Sequence, residues 1–209
     1  MIIAIDGPAA SGKGTLSKRL ADHYGLRHLD TGKSYRAVAK AMQDAGHALT
    51  DAAAAVAVAE TLDFGALADP SLASPEIGEA ASKVAPIKAL RKALVARQRS
   101  FALKAVPGAV LDGRDIGTVV LPDAPLKLYV TASVDERARR RALEAHGHAE
   151  GAVLQEITEA LRARDARDMG RAASPLRPAE DAVHLDTTTL DADGAFAAAC
   201  AIVNARFPA

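Results

Sequence analysis

The first fifteen residues leave this chain little freedom. Ile2-Ile3-Ala4-Ile5-Asp6 is a short apolar, β-branched run that stops at a glycine, and Gly7-Pro8-Ala9-Ala10-Ser11-Gly12-Lys13-Gly14-Thr15 follows it. Two glycines bracket four residues, a lysine comes after the second, and helix formers continue through Leu16, Leu20 and Tyr24. Strand, glycine loop and helix in that order is the context in which a phosphate-binding loop forms. The glycines let the backbone curl until its N–H groups converge on phosphate oxygens, and the helix N-terminus adds the positive end of its dipole. Lys13 then supplies a point charge for the β- and γ-phosphates. The general motif has Ser or Thr directly after the lysine, whereas here Gly14 intervenes before Thr15. The competing reading, a glycine-rich turn with a surface lysine, accounts for less of the surrounding pattern.

Length and composition narrow the rest. The chain has 209 residues, enough for one core with insertions. Its formal net charge is zero, so bulk charge implies no polyanion partner. There is no tryptophan and few aromatics, which argues against base-stacking platforms and hence against a nucleic-acid partner. Cys200 is the only cysteine, in an alanine-rich apolar stretch, and reads as a small core residue. The apolar start is too short and too acidic-ended for a signal peptide, and no run approaches membrane-spanning length. These features predict a cytoplasmic protein.

The pattern along the chain is strand–helix alternation. Strands are expected at Ile2–Asp6, Leu26–Leu29, Ala109–Asp112, Leu126–Val130 and Asp181–Asp186, with helices between them. That rhythm predicts an α/β fold, a five-stranded parallel sheet flanked by helices. Helices are expected from Ser34 to Gln43, from a Thr50 or Asp51 cap to Leu62, over Glu76–Val84 and over Pro86–Lys104. Further helices are expected over Val134–Glu144, Val153–Met169 and Asp191–Ala205. Residues 63–75, broken by Gly65, Pro70 and Pro75, read as a loop-like insertion with one short extended piece. No linker is long enough to divide the chain, so residues 1–209 are expected to form one domain.

Three further stretches carry chemistry. Asp112-Gly113-Arg114-Asp115-Ile116-Gly117-Thr118 crowds two carboxylates, an arginine and two glycines at the end of a central strand, the sheet edge where α/β folds bind ligands. Asp30-Thr31-Gly32-Lys33-Ser34-Tyr35-Arg36 falls on the same edge. Its Asp30 or Thr31 can cap a helix, while Arg36 offers a guanidinium to an acceptor phosphate. The late arginines sort by helical angle: Arg137, Arg140 and Arg141 fall within about a 100° arc, with Arg139 pointing away. Arg164, Asp168 and Arg171 lie within about 60° of one another. Next to the Gly147–Gly151 break, the first set suggests a moving lid whose arginines reach a triphosphate on closure. The alternative is a solvated face laced with ion pairs. His146 and His148 lack a third ligand and read as exposed loop.

These motifs together resemble bacterial cytidylate kinases, among the nucleoside monophosphate kinases, whose loop takes the Gly-Lys-Gly-Thr form. The likeness rests on Ile5-Asp6-Gly7-Pro8 through Thr15, Asp30-Thr31-Gly32 with Tyr35-Arg36, and Ala80-Ala81-Ser82-Lys83-Val84-Ala85. It continues through Arg91, Arg97-Gln98-Arg99, the Asp112–Val120 run, Arg164-Asp165, Arg167-Asp168, Arg171, Pro175-Leu176 and Asp186-Thr187-Thr188. The resemblance implies a P-loop kinase core with a monophosphate-binding helical region at about 31–105 and a small lid at about 136–152. It implies transfer of the ATP γ-phosphate to CMP or dCMP, with Mg²⁺ arriving on ATP and only Thr15 offered as a protein contact. The ATP site would be Gly7, Pro8, Ala9, Ala10, Ser11, Gly12, Lys13, Gly14 and Thr15, with Arg137. Ser82, Arg91 and Asp115 would read the cytosine. Arg36, Arg114 and Arg171 would hold the acceptor phosphate, Arg164 and Asp168 the sugar, with Thr31, Tyr35 and Asp112 also on the CMP side. Lys13, Arg114, Arg140, Arg141 and Arg164 would carry the catalytic charge. The family usually has a longer insertion than residues 63–75 allow, an arginine where Leu72-Ala73-Ser74 stands, and a small or apolar residue at Lys33.

Phosphoryl transfer to a phosphate needs positioning and charge stabilisation, and no general base is assigned. A monomer acting on small-molecule substrates is expected. The rivals are a P-loop kinase for another acceptor and a GTPase-like switch. The second is disfavoured because the chain lacks an Asn-Lys-x-Asp run to read guanine.

Overall fold

A computed structural model describes residues 1–208. The chain forms two compact units, one made of residues 1–28 together with the chain from Ala105 on, the other of Leu29–Lys104.

The first unit is organised by β1 (Ile2–Asp6), an apolar strand whose Ile3, Ala4 and Ile5 are buried. It is central in a five-stranded sheet of order β2-β3-β1-β4-β5. The other strands are β2 (Arg27–Asp30), β3 (Ala109–Gly113), β4 (Leu126–Thr131) and β5 (Val183–Asp186). β1 runs parallel to β3, with Asp6 opposite Gly113, and parallel to β4, with Asp6 opposite Tyr129. β4 and β5 are parallel too, with Thr131 opposite Asp186. This register delivers the segments after β1, β3, β4 and β5 to one edge of the sheet, where ligands bind in such folds. Helices α1 (Lys13–Tyr24) and α8 (Ala192–Arg206) contribute Leu16, Leu20, Ala199 and Val203 to a core with Ile3, Ile5, Val110, Leu128 and Val130. The Tyr24 hydroxyl donates to Asn204 Oδ1 at 2.8 Å and ties the two helices together. Helices α6 (Val134–His146) and α7 (Gly151–Met169) pack on each other and enclose Ala9 with Ala138 and Leu161.

The second unit holds α2 (Thr31–Asp44), α3 (Ala52–Thr61), α4 (Pro75–Val84) and α5 (Lys88–Leu103). Its core is Val38, Met42, Val84, Leu90 and Leu94, with Ala55, Ala59 and Ala80 where helices approach closely. Asp30 caps α2 through the Lys33 N–H, so the helix begins three residues before the expected Ser34. Asp51 caps α3 through Ala53 and Ala54.

Residues 63–75 differ from the expected extended piece. They form two 3-10 turns, Phe64–Ala68 and Pro70–Ala73, followed at once by α4. Asp63 accepts from the Gly65 N–H and Asp69 from the Ser71 N–H, both at 2.8 Å. An aspartate that bonds its own backbone two residues on favours a turn over extension. The helices around the break at 147–150 are slightly longer than expected, α6 ending in the left-handed cap Gly147.

Arg97 on α5 closes the open end of α3. Its guanidinium donates to Ala59 O at 2.9 Å and to the carbonyls of Glu60 and Leu62, and it lies 5.2 Å from the centre of the Phe64 ring. These carbonyls have no helical partner of their own. Arg97→Ala should therefore lower stability by about 2 kcal/mol or more, read as a drop in Tm.

Candidate active site

The loop after β1 has the backbone its glycines permit. A Cβ on Gly7 would fall 2.0 Å from Val130 O, so no side chain fits there. Gly12 takes φ 82° as the cap of α1, and Ala10 takes a left-handed φ of 57°. No side chain caps α1, which leaves its first N–H groups for a ligand. Lys13 Nζ arches back to Pro8 O at 3.3 Å. Asp112 lies beside this loop: its Oδ2 is 3.9 Å from where a Cβ on Gly14 would be, and its Oδ1 is 2.7 Å from His28 Nε2.

The Asp112–Thr118 run leaves β3 and enters a single π turn, Ile116–Val120. Asp6 holds that turn. Its Oδ1 accepts from Ile116 N at 2.7 Å and its Oδ2 from Gly117 N at 2.8 Å. Burial pushes the Asp6 carboxyl up to about 6. The N–H groups of Gly117 and Ile116 pull the other way, Asp115 adds to the rise, and Arg114 opposes it. In the sequence Asp6 is marked only as an acidic residue closing an apolar strand.

Arg114 and Arg171 share one carboxylate. Arg114 Nε donates to Asp168 Oδ2 at 2.8 Å, and Arg171 donates to Asp168 Oδ1. Burial would raise Asp168, but Arg114, Arg171 and Arg164 outweigh it and hold the carboxyl below its ordinary value. The structure thus gathers Arg114, Asp168 and Arg171, with Arg164 near enough to act on the same charge.

The arginines of α6 face three different sets of partners. Arg137 is buried, with Nε on Ala132 O at 3.0 Å, Nη1 on Ala9 O at 3.1 Å and Nη2 on Asp165 Oδ2 at 2.6 Å. Arg140 reaches Glu136, Thr187 and Leu190. Arg141 lies at the surface against Glu144. Helical angle gave their directions around α6 but not what each direction faces. Glu136 is held down at about 2, chiefly by its hydrogen bond from Arg139 against the opposing effect of burial, with help from Arg140. His146 and His148 lie with ring centres 6.3 Å apart, and no acidic, histidine or cysteine group of three among the described residues forms a metal site.

In the second unit, Thr31 is buried at the start of α2. Arg36 Nη1 donates to Leu72 O at 2.6 Å and Ser74 O at 3.3 Å, and Gly78 leaves room for this guanidinium. Buried Arg91 donates to Ala85 O at 3.3 Å and lies 5.6 Å from the centre of the Tyr35 ring. The Ser82 hydroxyl donates to Gly78 O at 3.1 Å.

A parallel sheet that feeds an uncapped helix through a glycine loop, with arginines gathered at the same edge, defines a P-loop nucleotide-binding fold. The model of the cytidylate kinase family matches residues 3–204. The chain is 58% identical over 205 residues to a cytidylate kinase of Rhodopseudomonas palustris (strain HaA2), covering 98% of this chain and 96% of that one. It is 56% identical over 204 residues to a cytidylate kinase of Rhizobium meliloti (strain 1021), covering 98% and 96%. Among solved structures, TT1252 from Thermus thermophilus matches with a TM-score of 0.54 at 20% identity, over 100% of this chain and 98% of that one, a likeness of fold. The chain belongs to the cytidylate kinase family. None of the described helices is long and apolar enough to cross a membrane.

Because folding raises Asp6 from 3.8 to about 6, the folded state binds more protons than the unfolded one between those values. Its contribution to stability therefore falls as pH rises through that window. Glu136, held low, acts oppositely: its contribution is lost as pH falls from 4.5 towards about 2. Asp6→Asn should be less stable than wild type, with a deficit that narrows by a few kcal/mol between about pH 4 and 7. Denaturant melts across pH check this, and a deficit that widens with pH would contradict it.

Proposed function

We propose that this protein transfers the γ-phosphate of ATP to CMP or dCMP, giving CDP or dCDP, as a cytoplasmic monomer. The observation that carries the reading is the family match over residues 3–204, coupled to a glycine loop whose helix end is left open for phosphate. Residues 7–15 take the triphosphate, with Lys13 moving from Pro8 O to the β- and γ-phosphates. Arg36, Arg114 and Arg171 take the acceptor phosphate. Arg164 and Asp168 take the sugar, and Ser82, Arg91 and Asp115 take the cytosine, with Thr31 and Tyr35 supporting them. The monophosphate-binding region is then about residues 31–105, and the lid about residues 136–152.

The chemistry follows from charge. The acceptor phosphate has a second pKa near about 6 and is largely dianionic at neutral pH, so no base is needed to activate it. The obstacle is bringing two anions together. Lys13, Arg36, Arg114 and Arg171 offset that repulsion and the charge that spreads over the transferring group. Asp168 supports this role because it orients two guanidinium groups and, held below its ordinary value, keeps its own charge throughout the neutral range. Arg140 and Arg141 would join only by leaving Thr187 and Glu144.

Magnesium fits the residues present. Thr15 in the loop and Asp112 beside it offer hard oxygen donors, a hydroxyl and a carboxylate, of the kind magnesium takes. When bound, the ion offsets phosphate charge; Thr15 and Asp112 would help hold it.

Base choice rests on hydrogen-bond polarity. Cytosine offers an amino donor at position 4 and an acceptor at N3, and uracil reverses both. A carboxylate only accepts and a guanidinium only donates. Sites built this way reject the wrong partner by about 10⁴-fold. Asp115→Ala should therefore damage kcat/KM for CMP far more than for UMP. Equal losses on both would mean that Asp115 supports the site without reading the base. Assaying which monophosphate stimulates ATP consumption tests the activity itself, and Lys13→Ala should nearly abolish it while leaving the circular dichroism spectrum intact. Wild-type turnover in that variant would remove the phosphate loop from the mechanism.

A further inference from the structure

Two carbonyls of the phosphate loop are held by side chains from elsewhere in the first unit. Ala9 O accepts from Arg137 Nη1 at 3.1 Å, and the same guanidinium is fixed by Asp165 on α7 and by Ala132 O after β4. Ser11 O accepts from the Thr187 hydroxyl at 3.2 Å, which is shared with Thr131 O at 3.0 Å. Arg140 Nη1 donates to that hydroxyl at 3.1 Å, and since a guanidinium only donates, the hydroxyl proton is left for the two carbonyls. Thr187 is buried and its own N–H is spent on Thr131 O at 2.8 Å. The Ala9 side chain is itself packed with Ala138 and Leu161.

A trans peptide is planar, and its C=O and N–H point to opposite sides. Fixing Ala9 O therefore turns the Ala10 N–H away from Arg137, and fixing Ser11 O turns the Gly12 N–H away from Thr187. Ala10 needs this support most, because its left-handed φ is disfavoured for a residue with a Cβ. We propose that Arg137 and Thr187 are positioning residues for the triphosphate: by holding the Ala9 and Ser11 carbonyls outward, they keep the Ala10 and Gly12 N–H groups aimed at phosphate. Arg137 then acts through the loop and does not touch ATP. This rests on residues 7–15 being the triphosphate site.

The test is equilibrium binding of ATP and of inorganic tripolyphosphate, without acceptor, alongside binding of CMP alone. Thr187→Val keeps the shape and removes the hydroxyl; it should weaken both triphosphates about tenfold, while CMP affinity stays within about twofold. Thr187→Ser should restore the loss. Arg137→Lys, which cannot span Ala132 O, Ala9 O and Asp165 together, should weaken the same two ligands. Asp165→Asn separates the two roles of Arg137. If Arg137 only positions the loop, loosening it weakens triphosphate binding; if it contacts phosphate, releasing it from a competing carboxylate leaves binding unchanged or stronger. Wild-type tripolyphosphate affinity in Thr187→Val, or equal losses for CMP and triphosphate, would overturn the proposal. Failure of the wild-type protein to bind either triphosphate would instead remove the site on which it rests.

Discussion

Two backbone N–H groups of the Ile116–Val120 turn end on one buried carboxylate, and the geometry of the sheet edge depends on that contact. Asp6 is the last residue of β1 and the neighbour of Gly7, so the carboxylate that holds the turn after β3 also sits at the root of the phosphate loop. Close approaches around it leave little slack. Gly7 meets the Val130 carbonyl of β4, and a Cβ on Gly117 would meet the Lys127 side chain at 3.1 Å. Burying a carboxylate raises the free energy of its charged form, which the two N–H groups only partly offset. The protein accepts that cost where three strand ends must be held together.

The arginines show how a chain of zero net charge can serve anionic ligands. Several are paired inside the first unit: Arg114 and Arg171 on Asp168, Arg137 on Asp165, Arg140 on Glu136. A guanidinium so held is oriented before any ligand arrives, which reduces the ordering cost of binding. One carboxylate between two arginines also leaves an excess positive charge at that spot. Single-partner pairs such as Arg137 with Asp165 leave none and serve architecture.

Much of this was legible in the sequence. The β-branched run, the glycine spacing and the strand–helix rhythm are local signals, and they led to the sheet and the loop. The grouping of Arg164, Asp168 and Arg171 on one face also follows from helical spacing, and the structure brings Asp168 and Arg171 into contact. What the sequence leaves hidden is the partner across the fold. Arg137 lies on the expected side of α6, but Asp165 on α7 makes that side buried. Thr187 lies 56 residues from Thr131 and Asp6 110 from Ile116, the groups they bond, and no periodicity links them. In residues 63–75 the Pro and Gly signals located the break, while the Asp side chains chose its turns.

The hydroxyl that joins Tyr24 to Asn204 has an optical consequence. With no tryptophan in the chain, near-ultraviolet absorption and emission come mainly from three tyrosines. Each stands in a different setting: Tyr24 between α1 and α8, Tyr35 beside Arg91 in the second unit, and Tyr129 in β4 beside His184. A phenol that donates to an amide oxygen is quenched and shifted differently from one under a cation or in a sheet. The molecule therefore carries three native tyrosine reporters in different settings, and one introduced tryptophan would be its sole indole emitter.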